Sequence, residues 1–360
     1  MKPLNTAPTA LLLLLLCIPA AAQWRTQAGN TTADLRGLSV VNSQVVWASG
    51  SQGTFTRTTD GGATWQAGKV PGAEQLDFRD VEAFDANTAY LLSAGKDQLS
   101  RIYKTSDGGA HWALQFTNHL PEAFFDAIAF WDRDHGIALS DPVNGRFVMV
   151  ATDNGGRTWN DVPATNLPPA INGEGGFAAS GTCLIAQGQA NAWFVTGGAV
   201  ARVFRSADRG RSWTVTSAPL SSGVESAGIF SIAFNDATHG VIVGGDYRKP
   251  TEAGDNIALS DDGGRTWKLS RGSRPAGYRS GAAYVAPLTV IAVGTSGSDY
   301  STDGGASWTR LDGENYNSVA ARAGVVWAVG PRGRIARLDG LPGGRRLSAA
   351  RATDKITPVM

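Results

Sequence analysis

Residues 301–308 of the chain read Ser301-Thr302-Asp303-Gly304-Gly305-Ala306-Ser307-Trp308. Five further segments share the pattern Ser/Thr, any residue, Asp, Gly, Gly, any residue, Ser/Thr, Trp, and they are residues 58–65, 105–112, 152–159, 206–213 and 260–267. We call these six segments the repeat motifs. Three residues depart from the pattern, and they are His111, Asn154 and Arg209. Repeats of this kind indicate an architecture built from several copies of one supersecondary unit.

The residue types of the repeat motif suit a tight turn between two β-strands. Carboxylate and hydroxyl oxygens can accept hydrogen bonds from backbone N–H groups a few residues further on. The paired glycines supply the positive φ that such a turn needs, and the Trp brings a large apolar surface to the next strand. We therefore predict a structural role for the acidic or amide residue of each motif, namely Asp60, Asp107, Asn154, Asp208, Asp262 and Asp303.

The spacing of the repeat motifs predicts a β-propeller. Their Trp residues are 41 to 54 residues apart, which is the length of one propeller blade. Short apolar strands separated by Gly-rich turns lie between them, and the predicted first strands include residues 36–40, 79–84, 126–130 and 178–182. We expect an all-β fold, a seven-bladed β-propeller with four-stranded blades.

The two ends of the chain complement one another. After the sixth repeat motif, residues 317–338 supply three strands but no seventh motif. Near the start, Gln23-Trp24-Arg25 looks like the Trp strand that follows a motif. We predict that this N-terminal strand closes the last blade, which would hide the edges of the sheet. The propeller then spans residues 23–338, and residues 339–360 form a flexible C-terminal tail.

The first residues of the chain are typical of a secretory signal peptide. An apolar run at residues 11–16 follows Lys2, and Ala20-Ala21-Ala22 precedes the predicted cleavage site near Ala22. Residues 1–22 therefore predict export to the periplasm or the cell exterior. The run is too short to span a bilayer, so we expect no stable membrane insertion. After cleavage only Cys183 remains, and it is predicted to be buried and inert within an apolar strand.

Charge and motifs exclude several functional classes. Without residues 1–22 the chain has equal numbers of basic and acidic residues, so we expect no nucleic-acid partner. No zinc-ligand spacing, phosphate-binding loop or dinucleotide motif is found, so no metal, cofactor or catalytic residue is predicted.

Binding is expected at one end of the propeller, which we call the mouth. The mouth is the end at which the first strands begin and the second strands end. The residues predicted to line it there are a basic set (Arg36, Arg79 and Arg279), an aromatic set (Phe125, Phe177 and Phe230) and three acids just upstream (Glu122, Glu174 and Glu225). The long loop 245–256 adds Asp246 and Tyr247. An alternative is that the Arg and Glu side chains only satisfy each other and the Phe side chains are core.

The repeat motifs resemble the Asp-box, or BNR repeat, of β-propellers. That motif occurs in sialidases, xyloglucan hydrolases, sorting receptors and photosystem assembly factors. The Arg-Ile-Pro segment of sialidases is absent, and xyloglucan hydrolases have two tandem propellers. Residues 23–338, with His135-Gly136 and His239-Gly240 turns and Gly at the end of second strands, are most similar to the photosystem II stability and assembly factor family. That resemblance implies a propeller without enzymatic activity that binds a protein through an arginine-rich patch, which Arg36, Arg79 and Arg279 match.

The resulting functional prediction is an exported, monomeric binding or assembly scaffold that holds a protein partner at the mouth. The alternative is a secreted glycoside hydrolase of the BNR-repeat type with a glycan substrate. In that case Glu122, Glu174 and Glu225 would supply the acid and the second carboxylate.

Overall fold

The computed structural model of the chain describes residues 22–340. Seven antiparallel sheets surround a central axis, and the first strands of neighbouring sheets lie against one another around that axis. The chain is therefore an all-β, seven-bladed β-propeller with four-stranded blades, as the repeat motifs predict. The predicted signal peptide, apart from Ala22, and the predicted tail beyond Gly340 lie outside the described residues.

Blades 1 to 6 each use four strands in chain order, and in blade 4 the short strand Gly197–Gly198 comes between the second and the third. Blade 1 consists of Leu35–Val40, Val46–Gly50, Thr54–Thr58 and Gln66–Lys69. Blade 2 consists of Asp77–Ala83, Ala89–Ala94, Arg101–Thr105 and Ala113–Thr117. Blade 3 consists of Phe125–Phe130, Gly136–Val143, Arg146–Thr152 and Asn160–Asp161. Blade 4 consists of Leu184–Gln187, Asn191–Val195, Arg202–Ser206 and Thr214–Ser217. Blade 5 consists of Ala227–Phe234, Gly240–Asp246, Ile257–Ser260 and Lys268–Leu269. Blade 6 consists of Gly281–Ala286, Thr289–Gly294, Gly297–Ser301 and Thr309–Asp312. Two short strands, Glu174–Gly175 and Gly197–Gly198, extend the sheet of blade 5. Two 3-10 helices lie at Asp97–Leu99 and Ala164–Asn166.

Blade 7 is shared between the two ends of the chain. Its strands are Ser318–Arg322, Val325–Val329, Ile335–Asp339 and the N-terminal Gln23–Gln27. Trp24 lies opposite Leu338 in this last antiparallel pair. Its ring is buried, and its Nε1 donates a hydrogen bond to Ser298 Oγ of blade 6 at 2.9 Å. The predicted closure of the ring by the N-terminal strand is therefore confirmed, and the last strand reaches one residue into the predicted tail.

The sixth repeat motif shows how the pattern builds its turn. The Asp303 carboxylate accepts hydrogen bonds from the Ser307 N–H at 2.8 Å, from the Ser307 hydroxyl at 2.5 Å and from the Ser301 hydroxyl at 2.7 Å. Ser301 Oγ in turn accepts a hydrogen bond from the Gly305 N–H at 2.8 Å, and Gly305 has a φ of 98°. Trp308 is then buried against blade 5. The motif thus fixes the turn between the third and fourth strands and places the Trp in the contact between blades.

The three departures from the pattern keep this geometry. Asn154 accepts the backbone N–H of Thr158 at 3.0 Å and uses its amide to donate to the Thr158 hydroxyl at 2.8 Å. His111 Nδ1 lies 2.6 Å from Asp107, in the place of the usual hydroxyl. Arg209 adopts the left-handed φ of 60° that glycine has in the other copies. Each departure therefore preserves the acceptor, the donor or the left-handed backbone that the turn needs.

We expect Asp303→Ala to lower the free energy of unfolding by about 1–2 kcal/mol, because it removes charge-assisted hydrogen bonds near solvent. Asp303→Asn is the matched control, since Asn154 forms the same turn in the third copy. Denaturant unfolding of the two variants measures the difference. Equal losses in both variants would show that the hydrogen-bond pattern does not stabilise the turn. Partner binding should be unchanged wherever the variants remain folded.

The first strand of blade 4 differs from the prediction. Residues 178–182 form turns, and the strand is Leu184–Gln187. Gly181 within this stretch has a φ of 76°, which a continuous strand does not accommodate. Cys183 directly precedes the strand, and its side chain is buried, as predicted. The chain ahead of blade 4 is therefore a long loop at the mouth.

Candidate functional site

The mouth and the repeat motifs lie at opposite ends of the blades. Each motif follows a third strand, so it lies beside the turn between first and second strands, as the hydrogen bond from Gly304 N–H to Leu288 O shows. The mouth contains a cavity of about 900 Å³, formed by loops that enter first strands and leave second strands. We call it the mouth cavity.

Most of the predicted binding residues line the mouth cavity. Eight of the eleven do so, and they are Arg36, Arg79, Phe177, Phe230, Glu122, Glu174, Glu225 and Tyr247. The structure thus brings together residues from blades 1, 2 and 5 and from the loops ahead of blades 3, 4 and 5. Their proximity agrees with the predicted location, and their role in binding stays a prediction.

Arg279 and Phe125 do not face the mouth cavity, and both are fully buried at 0% exposure. The Arg279 N–H donates to Gly244 O of the preceding blade, just as Leu35 donates to Gly330 O. Arg279 therefore occupies the position of Leu35, one residue before that of Arg36. The expectation that these two side chains line the mouth was wrong by one residue of register.

A β-bulge explains the same offset in blade 3. The pairing with the second strand shifts after Leu35 in blade 1 and after Phe125 in blade 3. The extra, unpaired residue is thus Arg36 in blade 1 and Asp126 in blade 3, so Phe125 corresponds to Leu35. Asp246 also lies outside the lining of the mouth cavity, where its carboxylate accepts the Arg248 N–H at 2.9 Å within a turn.

Two arginines form the basic wall of the mouth cavity. Arg79 Nε donates to the Asp77 carboxylate at 2.8 Å. Arg36 donates only a long hydrogen bond, 3.5 Å, to the carbonyl of Ala179, and it makes no ion pair within residues 22–340. Burial, and then the neighbouring charge of Arg79, lower the pKa of Arg36. A partly buried guanidinium that contacts no carboxylate is available to bind an anion.

An aromatic wall lines another part of the mouth cavity. The rings of Phe177 and Phe230 stack with centroids 3.8 Å apart and planes 12° from parallel. Tyr247 meets both rings edge-on, 6.5 Å from Phe177 and 6.2 Å from Phe230, and its side chain is exposed. Tyr278 packs against Phe230 from the interior at 4.7 Å. The wall therefore offers a rigid apolar surface at the rim of the cavity.

Sequence reasoning missed two acids in the mouth cavity, Asp126 and Asp141 of blade 3, which we call the acidic pair. Burial raises the pKa of Asp141 to about 6. Burial, and then the charge of Asp141, raise the pKa of Asp126 well above its usual value. A signal was present, because Ser140 stands where other second strands have glycine, as at Gly50 and Gly244, and Asp141 directly follows this departure from the pattern.

The three predicted glutamates are already engaged to different degrees. Glu174 is buried and receives hydrogen bonds from Arg202 Nε at 2.8 Å and from the Thr196 hydroxyl at 2.6 Å. Glu122 forms an exposed ion pair with Lys96 at 2.9 Å. Glu225 is exposed and lies 3.6 Å from Arg248. Glu174 therefore stabilises the loop ahead of blade 4.

Within residues 22–340, no group of three or more His, Cys, Asp or Glu side chains is arranged to hold a metal ion. No helix in the described part of the chain has the length and hydrophobicity needed to cross a bilayer.

Comparison with solved structures finds propellers of similar fold. YCF48 bound to a D1 peptide has a TM-score of 0.62 and 17% identity, with 87% of this chain and 96% of that chain covered. YCF48 from Cyanidioschyzon merolae has a TM-score of 0.59 and 17% identity, with 88% and 98% covered. A catalytically inactive virginiamycin B lyase from Staphylococcus aureus, with quinupristin, has a TM-score of 0.62 and 11% identity, with 88% and 99% covered.

At these identities the similarity shows the fold alone, and the fold is shared by a peptide-binding protein and by a lyase. The YCF48 neighbours support the resemblance to assembly-factor propellers that the repeat motifs predict. No protein-family model matches the chain, and no match is found among curated proteins.

Proposed function

We propose that this chain is a non-enzymatic binding or assembly scaffold that captures a segment of a partner protein in the mouth cavity. The observation that carries the proposal is Arg36, a partly buried guanidinium that contacts no carboxylate among the described residues, at the wall of a cavity of about 900 Å³. The fold it shares with YCF48, which is known bound to a D1 peptide, supports the same function.

The two walls of the cavity suit a partner segment that is both anionic and apolar. Arg36 and Arg79 can hold a carboxylate through two parallel hydrogen bonds. The stacked rings of Phe177 and Phe230, with Tyr247 at the rim, supply the apolar anchor that dominates many protein interfaces. The partner we propose is therefore a protein segment with an acidic group next to an apolar side chain.

We further propose that the protein acts outside the cytoplasm. The support is the apolar run at residues 11–16 and Ala20-Ala21-Ala22, which end just before the strand Gln23–Gln27 that closes the propeller. Determining the N-terminal residue of the protein isolated from its host tests this proposal. A mature chain that still begins at Met1 would contradict it.

The binding proposal is tested by reversing charge at the basic wall. We expect Arg36→Glu combined with Arg79→Glu to weaken partner capture roughly tenfold or more, since loss of a buried charge pair commonly costs over about 1.4 kcal/mol. The loss should be larger at low ionic strength. Arg157→Glu is the matched control, because Arg157 is an exposed residue of the third repeat motif at the opposite end.

The measurement is cross-linking of the tagged protein in its host, followed by quantification of each captured protein and binding of its segments as synthetic peptides. Capture that is equal in the double variant and in Arg157→Glu would show that the arginines serve only the fold. Melting temperatures of both variants exclude unfolding as the cause of a loss.

Glycoside hydrolysis is the second candidate function, and Asp126 is the observation that favours it. A buried carboxyl with a raised pKa can act as a general acid in an aromatic-lined cleft. Turnover of a polysaccharide that disappears in Asp126→Asn would favour this function. Glu174 is a weaker candidate, because Arg202 and Thr196 already occupy its carboxylate.

A further inference from the structure

Both residues of the acidic pair lie in strands of blade 3. Asp126 is the bulge residue at the start of the first strand, and Asp141 lies in the second strand beside it. Both line the mouth cavity, on the side where Lys96 and Glu122 form the outer rim. The pair therefore faces the same space as the basic wall, from a different blade.

One oxygen of this pair has no partner. Asp126 is 1% exposed, and its Oδ2 accepts no hydrogen bond from residues 22–340. Asp141 Oδ1 accepts the Gly176 N–H at 2.8 Å. A Cβ on Gly176 would stand 2.6 Å from Asp126 Oδ2, and a Cβ on Gly175 would stand 2.6 Å from Asp141 Oδ1. The Gly-Gly backbone thus passes directly against both carboxyls and leaves one buried acceptor open.

Between Ala22 and Gly340, no Lys or Arg side chain neutralises the pair by direct contact. Arg79 favours the ionised form of Asp126, and Lys96 that of Asp141, but within the described chain neither forms an ion pair with them. Arg79 is bound to Asp77 instead, and Lys96 to Glu122. A buried carboxylate without a contacting cation is costly, so the site gains most from a cation supplied by a ligand.

We propose that Asp126 and Asp141 form a subsite for an organic cation, so that the segment captured in the mouth cavity presents a Lys or Arg side chain, or an amino terminus, to blade 3. This inference rests on the proposed binding function and specifies its ligand. The partner segment would then carry an acidic group for Arg36 and a basic group for Asp126.

An ammonium or guanidinium fits this site better than a metal ion does. Calcium and magnesium require six or more oxygen ligands, whereas no cluster of three metal-ligating side chains exists within residues 22–340. Phe177 follows Gly176 in sequence, and its ring lines the same cavity. The aliphatic stem of a basic side chain can pack on that ring while its charged end reaches the carboxyls.

Binding of a cation at this subsite should depend on the protonation of the acidic pair. The charged groups around the pair are Arg79 and Lys96, with Asp80 and the Cys183 thiol beneath. Because burial raises the pKa of Asp141 to about 6, much of the pair is protonated in mildly acidic solution. A bound cation favours the ionised form, so binding releases a proton. Affinity for the cation should therefore increase between about pH 5 and about pH 8.

The test uses small probes, which need no knowledge of the partner. Calorimetric titration measures the affinities of 2-phenylethylammonium, of its neutral isostere 2-phenylethanol and of N-acetyl-lysine amide. We expect the ammonium to bind roughly tenfold or more tightly than the alcohol, with a heat that varies with the ionisation enthalpy of the buffer. Asp126→Asn and Asp141→Asn should each remove most of this preference.

Asp153→Asn is the matched control, because Asp153 is an exposed carboxylate of the third repeat motif, at the end of blade 3 opposite the mouth cavity, and should leave the preference unchanged. Equal affinity for the ammonium and the alcohol, or a preference unaffected by Asp141→Asn in a folded variant, would overturn the subsite. Calcium binding that is abolished by Asp126→Asn would also overturn it, in favour of a metal site. The outcome is independent of the Arg36 experiment, since the cation probes need no captured protein.

Discussion

We expect deletion of residues 23–28 to lower the free energy of unfolding by at least about 3–5 kcal/mol, which is the usual cost of truncating a buried Trp. The deletion also unpairs the outer edge of Ile335–Asp339 and exposes the surface that Trp24 covers. The melting temperature should fall by roughly 10 °C. Thermal unfolding followed by circular dichroism measures both changes.

Two further measurements separate ring closure from a simple loss of contacts. Arg25→Ala changes an exposed residue of the same strand, paired with Asp339 at 3.2 Å, and should have little effect. A synthetic peptide of residues 22–28 should raise the melting temperature of the deleted protein, by an amount that grows with the logarithm of the peptide concentration above its Kd. A deleted protein that melts like the full one, and ignores the peptide, would show that blade 7 is stable with three strands.

The fold could be predicted because its information is local and repeated. Each repeat motif specifies one turn. The sequence around Trp24 looks like the strand that follows a motif, although no motif precedes it, and the three C-terminal strands lack such a fourth strand. The blade 4 loop could not be predicted in the same way. Residues 178–182 read Ala-Ala-Ser-Gly-Thr, small residues like those that begin the first strand Gly281–Ala286, and only the backbone shows the left-handed turn at Gly181.

The candidate site was predictable to within one residue of register. Side chains alternate along a strand, so a single bulge residue exchanges a mouth-facing position for a buried one. The bulge changes neither composition nor apolar pattern, and the sequence therefore showed Phe125 where the structure places Asp126 in the cavity. Contacts between distant loops, such as the one that brings Gly176 to Asp141, have no local signal at all.

The other large effect is expected at Arg279. Its Nε donates to Asp299 at 2.7 Å, and its Nη1 donates to the Tyr278 carbonyl at 2.7 Å and to Ser296 Oγ at 3.1 Å. Arg279 is 0% and Asp299 4% exposed. We expect Arg279→Ala to lower the free energy of unfolding by about 3–5 kcal/mol, because it leaves a buried carboxylate unpaired. Denaturant unfolding provides the measurement.

A double variant separates the charge pair from the packing. Arg279→Met combined with Asp299→Leu should recover most of the stability lost in Arg279→Ala, since a buried ion pair can be replaced by apolar residues of similar size. Arg79→Ala is the contrast, because its pair with Asp77 is part-exposed and should cost at most about 1 kcal/mol. If Arg279→Ala instead stays fully stable and loses partner capture, Arg279 belongs to the binding surface after all. A loss of capture that follows unfolding places it in the core, with Arg36 and Arg79 as the arginines that reach the partner.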